Sequence, residues 1–220
     1  MKKHLKSLLF LALISIAFTA CKDKAKEAET TNAEAPAAVE NTTNAVTYTA
    51  NTTESNLNWE GFKPTGSHYG TIKLKDGELN VTNGEIVGGK FTIDMNTIVI
   101  NDIPVDDEGN GKLLAHLKND DFFDAENHKT STFEITGLTE AEGKTMLSGN
   151  LIIKEISRNI TFPVTVKFDT NDVFVTSEKF TIDRTQWDIK YKSKSVFGDL
   201  GDKFINDDIE LKVFIKATKS

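Results

Sequence analysis

One cysteine stands in the whole 220-residue chain, at position 21. No intramolecular disulfide can staple the fold, which must rest on a core of Val, Ile, Leu and 14 Phe. Long apolar runs are missing too. The mostly apolar stretch Leu5–Phe18 is about 14 residues, short of the ~20 that cross a bilayer as a helix. Bases are outnumbered, 26 Lys and Arg to 33 Asp and Glu, and removal of residues 1–20 with their three lysines takes the formal charge from −7 to −10. So acidic a chain does not track a phosphate backbone, which argues against nucleic acid and against broad attraction to anionic lipid heads. The folded part has no cysteine nucleophile and no Gly-x-Ser-x-Gly elbow, and no carboxylate pair is set apart for acid–base work. His68, His116 and His128 lack helical ligand spacing and cysteine partners, so no metal is expected.

What is present begins with Cys21. Ahead of it come a basic start, Met1-Lys2-Lys3-His4, the short apolar run and a small residue, Ala20. These are the parts of a secretory signal, residues 1–20. Phe18-Thr19-Ala20-Cys21 resembles the bacterial lipobox, with Phe18 in place of the usual Leu. That resemblance implies that the Cys21 thiol is acylated and tethers the protein to a membrane; several acyl chains anchor stably where one does not. Lys22 after the cysteine resembles the outer-membrane sorting pattern, so the expected location is the cell envelope of a Gram-negative bacterium, lipid-anchored and facing periplasm or surface. Residues 22–45 are Ala, Glu, Thr, Asn and Lys with almost nothing large and apolar. They are expected to form a flexible linker, because they bury too little to offset their ordering entropy.

From Val46 to Ser220 the pattern has period two, and one folded domain is expected. Thr71–Lys75 alternates, and Asp76-Gly77 and then Asn83-Gly84 read as hairpin turns. Phe91, Ile93 and Met95 share a face, and further strands read at 132–136, 145–153, 160–169, 173–182 and 208–217. Phe162, Val164, Val166 and Phe168 form one such face; Ile209, Leu211, Val213 and Ile215 form another. Regular strands separated by turn signals predict an all-β barrel or sandwich. One stretch, Lys112–Lys118, predicts a short helix with Leu113, Leu114 and Leu117 on one face, followed by Phe122-Phe123. It reads either as a plug over one end of the barrel or as a lid over a ligand cavity.

Several stretches together resemble the YceI-like proteins. They are Trp59-Glu60-Gly61-Phe62-Lys63 with Gly66, His68 and Gly70; His116-Leu117 followed by Asp120-Asp121-Phe122-Phe123-Asp124; Gly149–Lys154 with Thr161-Phe162-Pro163-Val164; Ile182-Asp183-Arg184-Thr185; and the closing Ile205–Ala217. The chain departs from the family pattern at Glu155 and Asp188, where Gly is usual, and at Lys129 and Asn159, where Pro is usual. The resemblance implies an eight-stranded antiparallel lipocalin-like barrel with a short helical segment at one mouth. It also implies a polyisoprenoid or other long-chain lipid in the lumen, and it admits a homodimer. A lumen of eight strands is filled by side chains or holds one small ligand, and each buried CH₂ is worth ~0.8 kcal/mol. The lumen residues expected to meet the lipid are Phe91, Ile93, Phe133, Leu151, Phe162 and Phe180, each of which also reads as plain core. At the mouth they are His116, Leu117, Phe122, Phe123 and Arg184. Arg184 reads either as a head-group contact or as the partner of Asp183, Asp188 or another carboxylate. His68 reads as a mouth residue or an ordinary strand-edge histidine. The acidic run Asp102–Glu108 lacks the ligand order of a calcium loop and reads as solvated.

Three functions are thereby set against one another. The first is carriage or storage of a long-chain amphiphile by a tethered barrel. The second is a structural or interaction protein with a packed barrel. The third is an enzyme on an amphiphilic substrate, using His116 with Asp120 or Asp121. No enzyme activity is expected.

Overall fold

The computed structural model describes residues 25–37 and 45–220. The signal segment and Cys21 lie outside the described residues. The strands in chain order are β1 (Lys26–Glu27), β2 (Glu29–Asn32), β3 (Val46–Ala50), β4 (Asn56–Lys63), β5 (Gly66–Thr82) and β6 (Glu85–Ile100). After helix α1 (Glu108–Lys118) come β7 (Thr130–Ala141), β8 (Lys144–Ile153), β9 (Ile156–Phe168), β10 (Asp172–Ser177), β11 (Phe180–Asp183) and β12 (Asp208–Lys219).

The ring closes antiparallel. From β5 each strand pairs with the next through β9, β9 pairs with β10, and β10 and β11 both pair with β12. Strand β12 then pairs with β4 and β3, which both pair with β5. Counting β3 with β4 and β10 with β11 as single wall positions gives eight, the lipocalin-like barrel. Alternation is the cause: Leu57 on β4, Phe91 and Ile93 on β6, Leu147 and Leu151 on β8, and Leu211, Val213 and Ile215 on β12 all turn inward.

Asn83 and Gly84 have φ of 53° and 82° and join β5 to β6 as a tight turn. Positive φ at both central residues is what a two-residue hairpin of the right twist requires. Asp76-Gly77 is not a turn, contrary to the sequence expectation; β5 runs straight through it to Thr82. Register shifts between Thr71 and Lys73 and between Leu74 and Asp76 bend the strand instead, as bulges do. The predicted strand 173–182 is broken at Glu178-Lys179 into β10 and β11. Phe168 lies at the far end of β9 and is 43% exposed, so only Phe162, Val164 and Val166 of that face reach the cavity. Glu155 and Asp188 take φ of 66° and 59°, the left-handed region that glycine adopts without strain.

Helix α1 starts earlier than its apolar face suggests. Asp107 caps it by accepting a hydrogen bond from Gly109 N–H at 2.7 Å, and the buried Asn110 donates to Ile103 O at 2.7 Å. These two contacts turn part of the acidic run into a helix start.

The larger departure lies ahead of the barrel. The first part of the expected flexible linker pairs with it: β1 runs parallel to β11, and β2 runs antiparallel to β9. Glu34 N–H donates to Asn150 Oδ1 (3.0 Å), Asn150 Nδ2 donates to Glu34 O (2.7 Å), and Ala37 N–H donates to Ile135 O (3.0 Å). The composition argument overlooked this because the strap is held by backbone rungs and a neighbouring edge, which need no apolar side chains.

Candidate functional site

Three cavities follow one another along the barrel. The innermost, about 90 Å³, is lined by apolar side chains and Ser177 alone. The second, about 140 Å³, shares Leu57, Ile93, Leu151, Leu211 and Val213 with the first. The third, about 390 Å³, is at the mouth and shares Trp59, Gly61, Leu117, Phe122 and Ile205 with the second. The residues change from wholly apolar to mixed along this line: Arg184 is the one titratable side chain lining the inner two, while Lys63, His68, His116, Lys192, Asp202 and Lys203 line the third.

All six lumen candidates surround the innermost cavity. Phe162 stands between two partners, with its centroid 5.8 Å from that of Phe133 and 4.1 Å from that of Phe180. The lumen is therefore neither a wide tunnel nor a solid stopper. Rings fill much of it and apolar space remains beside them. Leu211 and Val213 belong to an inward face already read from the sequence, while Leu57 is an addition whose signal is the alternation along β4.

The mouth candidates divide. Leu117, Phe122 and Phe123 roof the second cavity, so α1 and the segment after it cover the apolar space. The His116 ring meets Phe122 and Tyr191 edge-on, at 5.2 and 4.5 Å. Its Nε2 stands 3.7 Å from Asp121 Oδ2 and, like Trp59 Nε1, is buried without a hydrogen-bond partner among the described residues. Tyr191 and Trp59 join the mouth beyond the expected set; Trp59 follows Leu57 by two on β4, so alternation carries its signal, whereas Tyr191 arrives on a long irregular segment and has none.

Arg184 lines the second cavity, but its guanidinium is committed to the protein. It is 1% exposed and spends its guanidinium on three carbonyls: Nε on Asn206 (3.1 Å), Nη1 on Ile189 (2.6 Å) and Nη2 on Ile205 (3.1 Å). Its carboxylate is Asp207, at 3.4 Å, while Asp183 instead caps the following turn through Thr185 N–H. Burial lowers the Arg184 pKa, and Asp207 and Asp183 partly oppose this. Arg184 is thus the brace of the 184–207 segment, as its structural reading anticipated. Trp187, fully buried, fastens the same segment to β8 by donating from Nε1 to Leu151 O at 3.0 Å.

His68 is also committed. Its Nδ1 lies 2.7 Å from Asp102 Oδ2 and its Nε2 lies 3.1 Å from Lys63 Nζ. Burial pushes the Asp102 carboxyl up, but hydrogen bonds with His68 and the Tyr69 N–H outweigh it and hold the group below the usual carboxylate range. Among the described residues no cluster of three or more His, Cys, Asp or Glu is placed to hold a metal ion.

A family model described as "YceI-like domain" matches residues 48–217. Among solved structures, that of Burkholderia cenocepacia BcnA superposes with a TM-score of 0.61 at 19% identity, covering 77% of this chain and 99% of that one. A polyisoprenoid-binding domain from Saccharophagus degradans, implicated in plant cell wall breakdown, superposes with a TM-score of 0.57 at 13% identity, covering 80% and 99%. A search of curated proteins finds no match.

Proposed function

The chain belongs to the YceI-like family, and on that footing we propose that its barrel binds a long-chain amphiphile of the polyisoprenoid kind and carries or stores it in the cell envelope, tethered through acylated Cys21. The observation that carries this reading is the gradient along the cavity line: apolar within, mixed and lysine-bearing at the mouth. A hydrocarbon tail fits the first part and an acidic or hydroxyl head fits the second. The Saccharophagus neighbour is named for polyisoprenoid binding, which supports the same ligand class.

The inner cavities are smaller than the ~300–1,000 Å³ of ordinary ligand pockets. A long tail therefore enters by swinging rings such as Phe133 and Phe162 aside. The driving force is sufficient, because ten buried methylenes supply on the order of 8 kcal/mol. The ring movement and the ordering of the tail are charged against that sum.

Native mass spectrometry of the full chain, extracted from its host in mild detergent, tests the proposal. A co-purifying apolar molecule is expected. Ile93→Trp, at the junction of the two inner cavities, should expel it while the circular dichroism of the barrel persists. A protein that is bare as isolated and takes up no isoprenoid alcohol from vesicles is instead a packed structural barrel, and the carrier reading falls.

A further inference from the structure

Strands β9 and β11 part company. The β9–β10 ladder ends with Ser177 opposite Val164, and Glu178 N–H then donates to Pro163 O at 3.1 Å. In an antiparallel ladder the N–H and C=O of one residue face the same neighbour. Pro163 has no N–H to return, so the ladder fails there. The wall is left open between Arg158–Thr161 of β9 and Phe180-Thr181 of β11.

The strap Lys26–Asn32, made of β1 and β2, occupies that opening. Lys26 and Glu27 pair with Phe180 and Thr181, Ala28 N–H donates to Thr181 O at 2.8 Å, and Glu29–Asn32 pair with Thr161–Arg158. Behind it Phe162 of β9 and Phe180 of β11 stack nearly parallel, 8° between planes. Both rings and Ile160 line the innermost cavity. On this flank the strap and one aromatic pair close the lumen.

Backbone rungs hold the strap, with little side-chain burial to add to them. Of residues 26–32 only Ala28 is buried, and a single methyl contributes less than about 1 kcal/mol. It also starts five residues after Cys21, a reach of at most ~18 Å.

We propose that the opening between β9 and β11 is a side entrance through which a lipid tail passes between bilayer and lumen, with the strap Lys26–Asn32 as its latch. This rests on the lipid-binding reading and on the acylation of Cys21. An anchor so near the latch turns this flank of the barrel toward the bilayer surface. A tail can then slide from membrane to lumen without exposing its length to water, which would cost ~0.8 kcal/mol per CH₂.

The test locks the latch. Asn32 and Arg158 are direct partners across β2 and β9. In the full chain, Asn32→Cys with Arg158→Cys forms a reversible disulfide, and Asn32→Cys alone is the control. Hydrogen exchange gives a readout that needs no lipid. The strap amides should exchange at least ~100-fold faster than the β9–β10 rungs, and oxidation of the pair should remove the difference. Exchange of the strap only with global unfolding overturns the latch. The second readout is transfer of a pyrene-labelled isoprenoid alcohol from vesicles of phosphatidylethanolamine and phosphatidylglycerol. Oxidation should slow transfer at least ~10-fold, reductant should restore it, and final occupancy should not change. Equal rates in the two states, with binding intact, overturn the entrance and leave the binding reading standing. No binding in either state overturns both.

Discussion

Gly77 lies directly across the β5–β6 ladder from Phe91, and a Cβ on Gly77 would stand 2.4 Å from Phe91 Cδ1. Gly149 faces Ile135 on the β7–β8 ladder and is diagonal to Phe133, yet the crowding is similar: a Cβ on Gly149 would stand 2.3 Å from Phe133 Cζ. Both rings line the innermost cavity. Each glycine lets a ring lie over the backbone of the opposite strand, and the space that the ring gives up stays open.

Gly149→Ala should therefore push the Phe133 ring toward the lumen. The expected cost is ~1–3 kcal/mol, read as a lower Tm, together with reduced uptake of an isoprenoid alcohol. Gly137→Ala is the control, because nothing lies within 4 Å of a Cβ there; its effect should stay within ~0.5 kcal/mol. Equal effects of the two variants would contradict the steric account.

Arg184 holds its segment from within. Arg184→Ala leaves three carbonyls and Asp207 without their buried cation, and a loss of ~3–5 kcal/mol is expected in urea titration. Arg184→Lys should recover little, since one ammonium cannot reproduce a planar fork aimed at three acceptors. Full rescue by Lys would show that charge alone matters.

Asp102 predicts an acid dependence. Its folded pKa is held below the ordinary aspartate value. Stability from the His68–Asp102 contact is therefore present above that value and is lost as pH falls through the lower folded one. The Tm gap between the protein and Asp102→Asn should be wide at neutral pH and should narrow below about pH 4. A gap that does not change with pH would mean that the depressed carboxylate contributes nothing.

Asn150→Ala removes both of the bonds that clasp Glu34 and leaves Asn159 without one acceptor. A loss of ~1–3 kcal/mol is expected, with faster cleavage at Glu34 by a glutamate-specific protease. Cleavage at the same rate as in the unaltered chain would mean that the clasp does not order the strap.

Much of the barrel was legible because alternation is a local property. Ile209, Leu211, Val213 and Ile215 announce one inward face without reference to anything else, and Asn83-Gly84 announces its turn by its φ requirements. Asp76-Gly77 carries the same local signal but is used otherwise, because Phe91 across the ladder needs a residue without a Cβ. Arg184 was visible as a charge beside a strand end, but its three carbonyl acceptors lie on residues 189–206, brought round by the fold.

Period-two patterning and turn chemistry alone settled that this chain is all-β with one short helix, a barrel or a sandwich, and which side chains share a face; the closed eight-stranded barrel was what the resemblance to the YceI-like proteins implied. Tertiary structure decided how much space those side chains leave, that Arg184 is a brace, and that the polar strap Lys26–Asn32 docks between β9 and β11. The reason is physical. The facing of a side chain follows from its own backbone, whereas an empty volume or an open strand edge is defined by what stands opposite.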